Sequence, residues 1–361
     1  MKGVSFFLVL GSLCSVAISG QEAGSGFDAR AVVSAQGAAS SLSTEAPRSG
    51  SPATGGYRVV FYPVWKLNDN WAITGALQSN SRPYFQESFS TADYGIKDNI
   101  LLGTLNYSRV SNRGSLMVRV GELPTAFGSF LLHYEDAANA LIDMPLQYGY
   151  YYKPVTTLGL TGGQIDVTRG KWDGRVQFTN SSPANPRSVF KGDQYANWAG
   201  GGGYTVRQGL RVGFSGYRGP YLSRDYKFFF PGEAKPNSLP AHAVGVDVQW
   251  ARGHWNVQGE WQTFLMPYKL LSPFHLEAGY VEAKRVLSPR WSVAGRGGYT
   301  DDSFSGFKES YEAVGAFRPN RLQIVKVGYE LRHQGQSAIA FDHSFTVQLV
   351  TSLHLLSLAG K

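Results

Sequence analysis

Apolar and polar side chains alternate along much of the chain, in segments of about ten residues. The alternation is clear in residues 172–179, 210–217 and 254–261, and again in 345–355, where Phe, Val, Leu and Thr occupy every second position. Because successive side chains of a β-strand point to opposite faces of a sheet, this period of two predicts strands with one apolar and one polar face. A tilted strand of about 9 to 11 residues also has the length that crosses a bilayer.

The stretches between these segments alternate between short and long. Short turns, rich in Asn, Asp, Gly, Ser and Pro, are predicted at residues 67–70, 111–114, 169–171, 207–209, 252–253, 288–290 and 319–320. Longer loops are predicted at 38–56, 81–95, 124–155, 182–194, 220–239, 265–272, 301–308 and 332–342. With one strand between each turn and the neighbouring loop, and with residues 27–37 as the first strand, the pattern predicts sixteen strands.

An even number of strands, joined by short turns at one end and long loops at the other, is typical of transmembrane β-barrels. We therefore predict an all-β fold, a transmembrane antiparallel up-and-down β-barrel of about 16 strands, built as a single domain from residues 24–361. A secreted soluble β-sandwich or propeller is the alternative. Nothing in such folds requires short and long connections to alternate around the whole chain, so the barrel is favoured.

The two predicted faces of the strands differ in charge. The lipid-facing candidates are apolar: Leu116, Val118, Val120, Val212, Phe214, Val244, Val246, Val248, Trp255, Val257 and Trp261. The opposite face carries Arg119, Asp173, Arg175, Arg211, Asp247, Glu260, Arg296, Lys326 and Arg332. An Arg or Lys facing lipid at mid-depth costs roughly 2 to 4 kcal/mol, so the charged face is expected to line water. Since sixteen strands enclose a lumen too wide for side chains alone to fill, the pattern predicts an aqueous pore.

Composition and the N-terminus agree with an exported membrane barrel. Aromatic residues make up 14% of the chain, charged residues only 17%, and 43 residues are glycine. Residues 1–20 indicate a signal peptide, with Lys2, an apolar run from Val4 to Ile18, and small residues after it. After residue 20 the chain has no run of about 18 apolar residues, so the sequence predicts no membrane-spanning helix. The expected location is the cell outer membrane, in contact with its lipid.

Cysteine and charge exclude several other classes of function. The chain has one cysteine, Cys14, and it lies in the predicted leader, so neither a disulfide nor a thiolate metal site is expected. The formal net charge is +8, but the Lys and Arg residues are scattered singly, with no basic run. A nucleic-acid partner is therefore not expected.

The longest stretch without strand-like alternation is residues 124–155. It carries three carboxylates, Glu135, Asp136 and Asp143, among apolar and aromatic residues, in a chain with excess positive charge. Pro124, Gly128 and Pro145 would interrupt strand pairing. This composition predicts a loop that folds into the bore of the barrel and packs its apolar side chains (Leu131, Leu132, Leu141, Ile142, Met144, Tyr148 and Tyr150) against the inner wall.

By this count the stretch is the third external loop, and here the chain resembles a known family. Gly121, Pro124, Phe127 and Gly128, followed by Asn139-Ala-Leu-Ile142, are similar to a motif of the sixteen-stranded porins and porin-like proteins of Gram-negative bacteria. Ala140 stands where that motif has proline, and the chain lacks the C-terminal aromatic residue usual in such porins. The resemblance implies an inward third loop, passive diffusion of small hydrophilic solutes and, commonly, a homotrimer.

Opposed charges would form the narrowest part of such a pore. We predict a constriction with Glu135, Asp136 and Asp143 on one side and wall arginines on the other, drawn from Arg119, Arg175, Arg211 and Arg296. Opposed charges across a narrow gap produce a transverse field that orders water and orients dipolar solutes. The alternative is an exposed loop with solvated carboxylates.

Catalytic chemistry has little support in the sequence. No pair of histidines has the H-E-x-x-H spacing of a zinc site. Ser215 lies mid-strand and outside a G-x-S-x-G elbow. The run Gly200–203 lacks the Lys-Ser/Thr of a phosphate loop, and in a barrel strand it indicates a bend or a close approach of another backbone, such as that of the inward loop. We expect no enzymatic activity, cofactor or metal, and leave open a channel selective for anionic solutes or a closed barrel with an enzymatic or adhesive role.

Overall fold

A computed structural model of the chain describes residues 25–41, 53–82, 95–131, 134–148, 160–180, 197–220, 239–303, 306–334 and 341–359. Its strands are β1 (Gly26–Ser40), β2 (Ala53–Lys66), β3 (Trp71–Arg82), β4 (Gly95–Ser111), β5 (Gly114–Leu123), β6 (Leu160–Arg169), β7 (Trp172–Thr179), β8 (Asn197–Arg207), β9 (Leu210–Pro220), β10 (Pro240–Arg252), β11 (Trp255–Met266), β12 (Phe274–Val286), β13 (Trp291–Asp302), β14 (Gly306–Phe317), β15 (Gln323–Gln334) and β16 (Asp342–Ala359). A 3-10 helix, Leu146–Tyr148, lies between β5 and β6. No helix in these ranges has the length and apolar character needed to span a membrane.

The strands form one closed antiparallel barrel. Each strand pairs with its neighbours in sequence, and β1 closes the sheet by pairing with β16 from Gly26↔Ala359 to Ser40↔Ser344. The predicted all-β, up-and-down barrel of sixteen strands is confirmed. Closure leaves no unpaired sheet edge, which is the condition for a sheet to lie in lipid.

Asparagines fix two of the short turns. Asn68 Oδ1 accepts hydrogen bonds from the backbone N–H groups of Asn70 and Trp71, both at 2.9 Å. Between β14 and β15, Asn320 Oδ1 accepts hydrogen bonds from the backbone N–H groups of Leu322 at 2.9 Å and Gln323 at 3.0 Å. A side chain that bonds the backbone ahead of it closes a tight turn without a long loop. All seven predicted turn positions fall between strands.

Two differences between the predicted loops and the structure are explained by strand pairing. The connection between β13 and β14 is only residues 303–305, whereas the sequence pattern predicts 301–308, because strand pairing continues to Asp302↔Gly306. The first strand runs to Ser40 rather than to residue 37, held by its register with β16. The predicted signal peptide and most residues of the loops at 38–56, 81–95, 182–194, 220–239 and 332–342 lie outside the described ranges.

The predicted division of the strands into an apolar and a polar face is confirmed. On β10, Val244, Val246 and Val248 are exposed, while Asp247 is only 4% exposed. The same exposure of apolar side chains holds for Leu116, Val120, Val212, Phe214, Trp255 and Trp261. We call the side of the sheet with these residues the apolar face and the other side the polar face. Glu260, Arg296 and Lys326 lie buried on the polar face.

Aromatic pairs mark the turn end of the apolar face. Ring centroids are 5.1 Å apart in Trp71–Tyr107 and 4.6 Å apart in Trp172–Tyr204 and in Trp291–Phe317. Each pair lies beside a short turn, across neighbouring strands. Aromatic rings at this height are typical of the girdles that border the apolar band of membrane barrels.

Candidate functional site

The candidate site is the stretch between β5 and β6, residues 124–159, of which 124–131 and 134–148 are described. We call it the connecting segment. Most of its described side chains are buried, and its bonds reach the polar faces of strands that are far apart around the barrel. Its first turn contains Gly128 with φ +79°, where a Cβ would overlap the Tyr148 hydroxyl. Only glycine combines this backbone angle with so close a contact.

The segment begins against β7. Gln177 Nε2 donates to the Pro124 carbonyl at 2.7 Å, and Gln177 Oε1 accepts from the Ala126 N–H at 3.0 Å. Arg175 donates to the carbonyls of Ala126 at 3.1 Å and Gly128 at 2.9 Å. Backbone groups that form no sheet ladder are thus paired with wall side chains, as buried polar groups require.

An aromatic contact holds the next residue. Phe127 is fully buried between Phe264, at 5.5 Å between ring centroids, and Tyr217, at 6.4 Å, both in edge-on geometry. The Gly128 N–H donates to Ser215 Oγ at 3.2 Å. Ser215, considered from the sequence as a nucleophile, is therefore a hydrogen-bond acceptor for the segment.

Glu260 on β11 holds the two ends of the described segment together. Its carboxylate accepts from the Ser129 N–H at 2.9 Å and from the Tyr148 hydroxyl, and Gln262 Nε2 donates to it at 2.8 Å. Burial, and then the neighbouring Glu260 carboxylate, raise the pKa of the Tyr148 hydroxyl well above its usual value. Tyr148 therefore stays protonated and remains a donor.

Two of the predicted carboxylates lie in ion pairs with β1 and β2. Glu135 is 3.2 Å from Arg30, and Asp136 is 2.9 Å from Arg58 and accepts from Ser34 Oγ at 2.6 Å. Asp136 is 1% exposed. Both arginines lie early in the chain, on strands with weak sequence alternation.

Burial raises the pKa of the Glu135 carboxyl above its usual value, and the Arg30 guanidinium acts in the opposite direction. Removal from water disfavours the charged carboxylate, whereas the adjacent cation favours it. The direction of the net shift means that desolvation outweighs the ion pair.

Lys326 on β15 binds backbone carbonyls in the part of the segment that joins Asp136 to Asp143. Its ammonium group donates to the carbonyls of Asp136 at 2.7 Å and Leu141 at 3.0 Å, and the residue is 1% exposed. A buried ammonium group requires such partners because its desolvation is costly. One lysine therefore closes the turn formed by residues 136–141.

Asp143 lies on the far side of the same turn, against β13–β15. Arg296 Nη2 donates to the Asp143 carbonyl at 2.8 Å, and Arg332 is 3.8 Å from the Asp143 carboxylate. Glu312 accepts from the N–H groups of Ile142 at 3.0 Å and Asp143 at 3.3 Å. Charged side chains of the wall thus hold the segment by its backbone as well as by its side chains.

Apolar contacts complete this attachment. Leu141 and Ile142 pack with Val314 of β14. Phe130 packs edge-on against Tyr280 of β12, with ring centroids 5.9 Å apart. Leu131, Met144 and Tyr148 lie in one apolar cluster with Tyr280 of β12, and Leu141 and Ile142 lie in another with Val314; Leu132 and Tyr150 lie outside the described residues.

The remaining predicted arginines bind wall aspartates instead. Arg119 on β5 is 2.7 Å from Asp166 on β6. Arg211 on β9 is 2.6 Å from Asp173 and 2.8 Å from Asp247. The glycine run at 200–203 marks a close approach, as predicted, but a Cβ on Gly203 would overlap the Arg211 guanidinium rather than the connecting segment.

The structure therefore brings together only part of the predicted constriction. Glu135, Asp136 and Asp143 are buried and paired, instead of projecting into open space. Arg175 and Arg296 bond to the backbone of the segment. Sequence reasoning missed the residues that hold the carboxylates and the segment backbone: Arg30, Arg58, Glu260, Glu312, Lys326 and Arg332. The last four are charged residues on strands whose apolar and polar side chains alternate, and this alternation was the only sequence feature that could have indicated them.

The polar face of β3–β6 has a different chemistry. Thr74 and Thr104 hydroxyls are 2.9 Å apart, and Asn106 Nδ2 donates to Thr74 Oγ1 at 2.8 Å. Gln164 Nε2 donates to Asp166 Oδ1 at 2.8 Å. Hydroxyl and amide groups predominate here, and we call this part of the wall the opposite arc. We call the polar face of β12–β15 the bonded arc; β5 and β13 are eight strands apart in the sixteen-stranded barrel.

Comparison with known proteins shows similarity of fold to solved structures. No family profile matches the chain, and no curated protein matches it. Among solved structures, Pseudomonas putida OprB has a TM-score of 0.65 at 11% identity, over 91% of this chain and 94% of that one. An anion-selective porin from Comamonas acidovorans has a TM-score of 0.62 at 9% identity, over 91% and 100%. Vibrio cholerae OmpT, an outer membrane protein in a trimer form, has a TM-score of 0.57 at 8% identity, over 91% and 100%. The chain has the sixteen-stranded porin fold.

Proposed function

We propose that this protein is an outer-membrane porin, through which small hydrophilic solutes and ions diffuse passively along an aqueous lumen narrowed by the connecting segment. The observation that carries the proposal is the distribution of the segment's bonds. They reach β1 and β2, β7, β9 and β11, and β13–β15.

A single segment can reach side chains on strands as far apart as β2, β7 and β14 of a closed barrel only from within. Arg58 on β2 and Arg175 on β7 lie on different sides of the barrel, and both bond to residues 126–136. This supports a lumen walled by the polar face, with the segment lying across it. Sixteen strands leave room for water beside such a segment.

The apolar face supports the membrane location. It exposes Val, Ile, Leu and Phe side chains along the strands and aromatic pairs at the turn end. Such a surface is suited to the lipid of the outer membrane. In this proposal residues 1–20 direct export and residues 24–361 form the barrel.

We also propose a homotrimer, the form named for the Vibrio cholerae structure. At the loop end of β1, the exposed positions are small: Ala35, Gly37 and Ala39. Ala39 pairs with Phe345 of β16, which pairs in turn with Tyr329 of β15. Small side chains let a second protein surface approach closely.

A Gly37→Trp variant should dissociate the trimer while the barrel stays folded. A wild-type protein that is monomeric in mild detergent would exclude the trimer.

A channel selective for anionic solutes is the second candidate, favoured by the net charge of +8. Reversal potentials in a salt gradient separate it from a weakly selective pore. An enzymatic or adhesive barrel with a closed lumen would carry no current.

Single-channel conductance of the refolded protein in planar bilayers tests the proposal. Wild type should conduct steadily, and a variant lacking residues 130–143 should conduct more, because the deletion removes the buried turn and its carboxylates. Circular dichroism and heat-dependent migration on gels establish that each variant is folded. Folded protein without conductance, in wild type and deletion alike, would contradict the proposal.

A further inference from the structure

Exposed arginines stand at six of the seven short turns, at the end of the strand that leads into each turn. Within the ranges that the structure describes, these arginines form no ion pair with a carboxylate. The turn end of the barrel therefore carries positive charge that no described carboxylate compensates. One such residue from each turn is Arg109, Arg169, Arg207, Arg252, Arg285 and Arg318.

The seventh turn, between β2 and β3, is neutral. Its one cation, Lys66, is 3.3 Å from the carboxylate of Asp69. Strand β2 lies beside β1, whose small outward side chains form the proposed subunit contact. The arginines without an ion pair instead follow the strands from β4 to β14, which belong to the rest of the barrel wall.

Strand register places four of the arginines on the apolar face, and their pairing shows it. Arg169 is paired across the ladder with Trp172, which is 63% exposed. Arg252 and Arg285 are both paired with Trp255, which is 43% exposed. Because side chains that oppose each other in a ladder share a face of the sheet, these arginines lie outside the lumen. The four are Arg109, Arg169, Arg252 and Arg285.

Aromatic rings fix the height of these cations along the barrel. The Arg285 guanidinium lies over the Trp255 ring, 5.2 Å from its centroid, and the Lys171 ammonium group is 5.8 Å from the centroid of Tyr204. Trp and Tyr at strand ends are typical of the boundary between the apolar band and the lipid headgroups. A cation stacked on such a ring stands at the height of the lipid phosphates.

On three strands, β12–β14, the loop end of the same face carries the opposite charge. Glu277 of β12 and Asp301 of β13 are paired directly, and Glu309 of β14 lies beside them, opposite Tyr299. An anionic headgroup is repelled by these carboxylates and attracted by the arginines at the turn end. The charge on the apolar face therefore distinguishes one leaflet of the membrane from the other.

From these observations we infer that the arginines at the turn end bind the anionic headgroups of phospholipids. The inference rests on the proposed membrane location, in which the short turns lie on the periplasmic side, and it names the lipid class held in that leaflet. Guanidinium groups form paired, charge-assisted hydrogen bonds with phosphate, and basic side chains next to a bilayer attract anionic lipids. A soluble polyanion would approach the tips of the turns, whereas these arginines share the side of the barrel with exposed rings.

Tryptophan fluorescence in liposomes tests this inference, because Trp172 and Trp255 lie beside the arginines. The protein is reconstituted in mixtures of phosphatidylcholine and phosphatidylglycerol with equal acyl chains, and the chains of one lipid or the other are brominated to quench tryptophan. We expect the share of phosphatidylglycerol at the protein surface to exceed its share in the bilayer by about threefold, and the excess to fall in high salt. Equal quenching by the two brominated lipids would overturn the inference.

Charge variants locate the binding groups. The quadruple variant Arg109→Gln/Arg169→Gln/Arg252→Gln/Arg285→Gln should lose the excess of phosphatidylglycerol, and the double variant Arg252→Gln/Arg285→Gln should lose about half of it. Lys66→Gln is the control, because it removes a cation of the same end that Asp69 compensates. Heat-dependent migration on gels establishes folding. An excess that persists in the quadruple variant, or that falls as far in Lys66→Gln, would overturn the inference.

Two further measurements separate this inference from its neighbours. Single-channel current in bilayers of phosphatidylcholine alone should occur in wild type and in the quadruple variant. Current without lipid preference would overturn the lipid inference alone, whereas lipid preference without current would support it and contradict the porin function. Wild type that binds polyglutamate in detergent but shows no preference for phosphatidylglycerol would overturn the inference in favour of a soluble polyanion.

Discussion

The bonded arc and the opposite arc use the same ion pairs in different surroundings. On the bonded arc, Arg296, Glu282 and Glu312 are nearly excluded from water and stand among bonds to the connecting segment. On the opposite arc, Arg119 and Asp166 pair at 2.7 Å and keep contact with water. The comparison teaches that exposure, more than distance, decides what such a pair does. A buried pair can fix a segment, whereas a hydrated pair is screened by water and adds little to stability.

The largest expected effect comes from a buried pair that binds the segment. Arg58→Met leaves the Asp136 carboxylate buried without its guanidinium, at 1% exposure. Breaking such a pair costs about 3 to 5 kcal/mol, so the segment should detach from β1 and β2 for part of the time. Single-channel recording should show a second, larger conductance level.

The matched control is Arg119→Met, the same substitution on the opposite arc. A pair that keeps contact with water contributes roughly 0 to 1 kcal/mol, so thermal unfolding in detergent should be nearly unchanged and no larger conductance level should occur. Equal behaviour of the two variants would contradict the distinction between the arcs.

Lys326→Met gives the next largest effect. It removes the donor to the carbonyls of Asp136 and Leu141, which then lie buried without that partner. Such a loss costs about 1 to 3 kcal/mol. Limited proteolysis should cleave residues 136–141 faster than in wild type. Lys66→Met, which alters an exposed pair with Asp69, is the control, and equal cleavage rates would exclude a fixing role for Lys326.

Acidification should have a smaller effect, through Glu135. Because burial raises the pKa of this carboxyl in the folded protein, the folded state binds its proton at a higher pH than the unfolded state does. Its contribution to stability therefore rises as pH falls through the folded pKa and declines as pH rises through it. Glu135→Gln removes this contribution. As pH is lowered from 7 to 4, the unfolding midpoint of wild type should rise relative to that of this variant. A fall of the wild-type midpoint relative to the variant would contradict the burial of Glu135.

The barrel was predictable from sequence because its signals are local. Alternation of period two and turn residues such as Asn68 and Asn320 act within a few positions, and the structure uses them as expected. The connection at 303–305 was predicted too long because strand pairing, a non-local effect, extends into it.

The site was only partly predictable because its partners are distant in sequence. Glu135 and Arg30 are 105 residues apart, and Asp136 and Arg58 are 78 apart. Periodicity identifies Lys326 and Arg332 as polar-face residues but not which of them meets the segment. The course of the segment decides that, and this course depends on the packing of Phe127, Phe130 and Leu141.

Modification of single cysteines tests the difference between the arcs most directly. The one natural cysteine, Cys14, lies in the predicted leader, so Met117→Cys on β5 and Ala294→Cys on β13 can be compared in the mature barrel. Met117 pairs with Asp166 on the polar face, and Ala294 packs beside Leu141 and Ile142. A charged methanethiosulfonate reagent should reduce single-channel current in stepwise fashion for Met117→Cys and leave Ala294→Cys unchanged. The reverse result, or equal block of both, would contradict the difference in exposure between the two arcs.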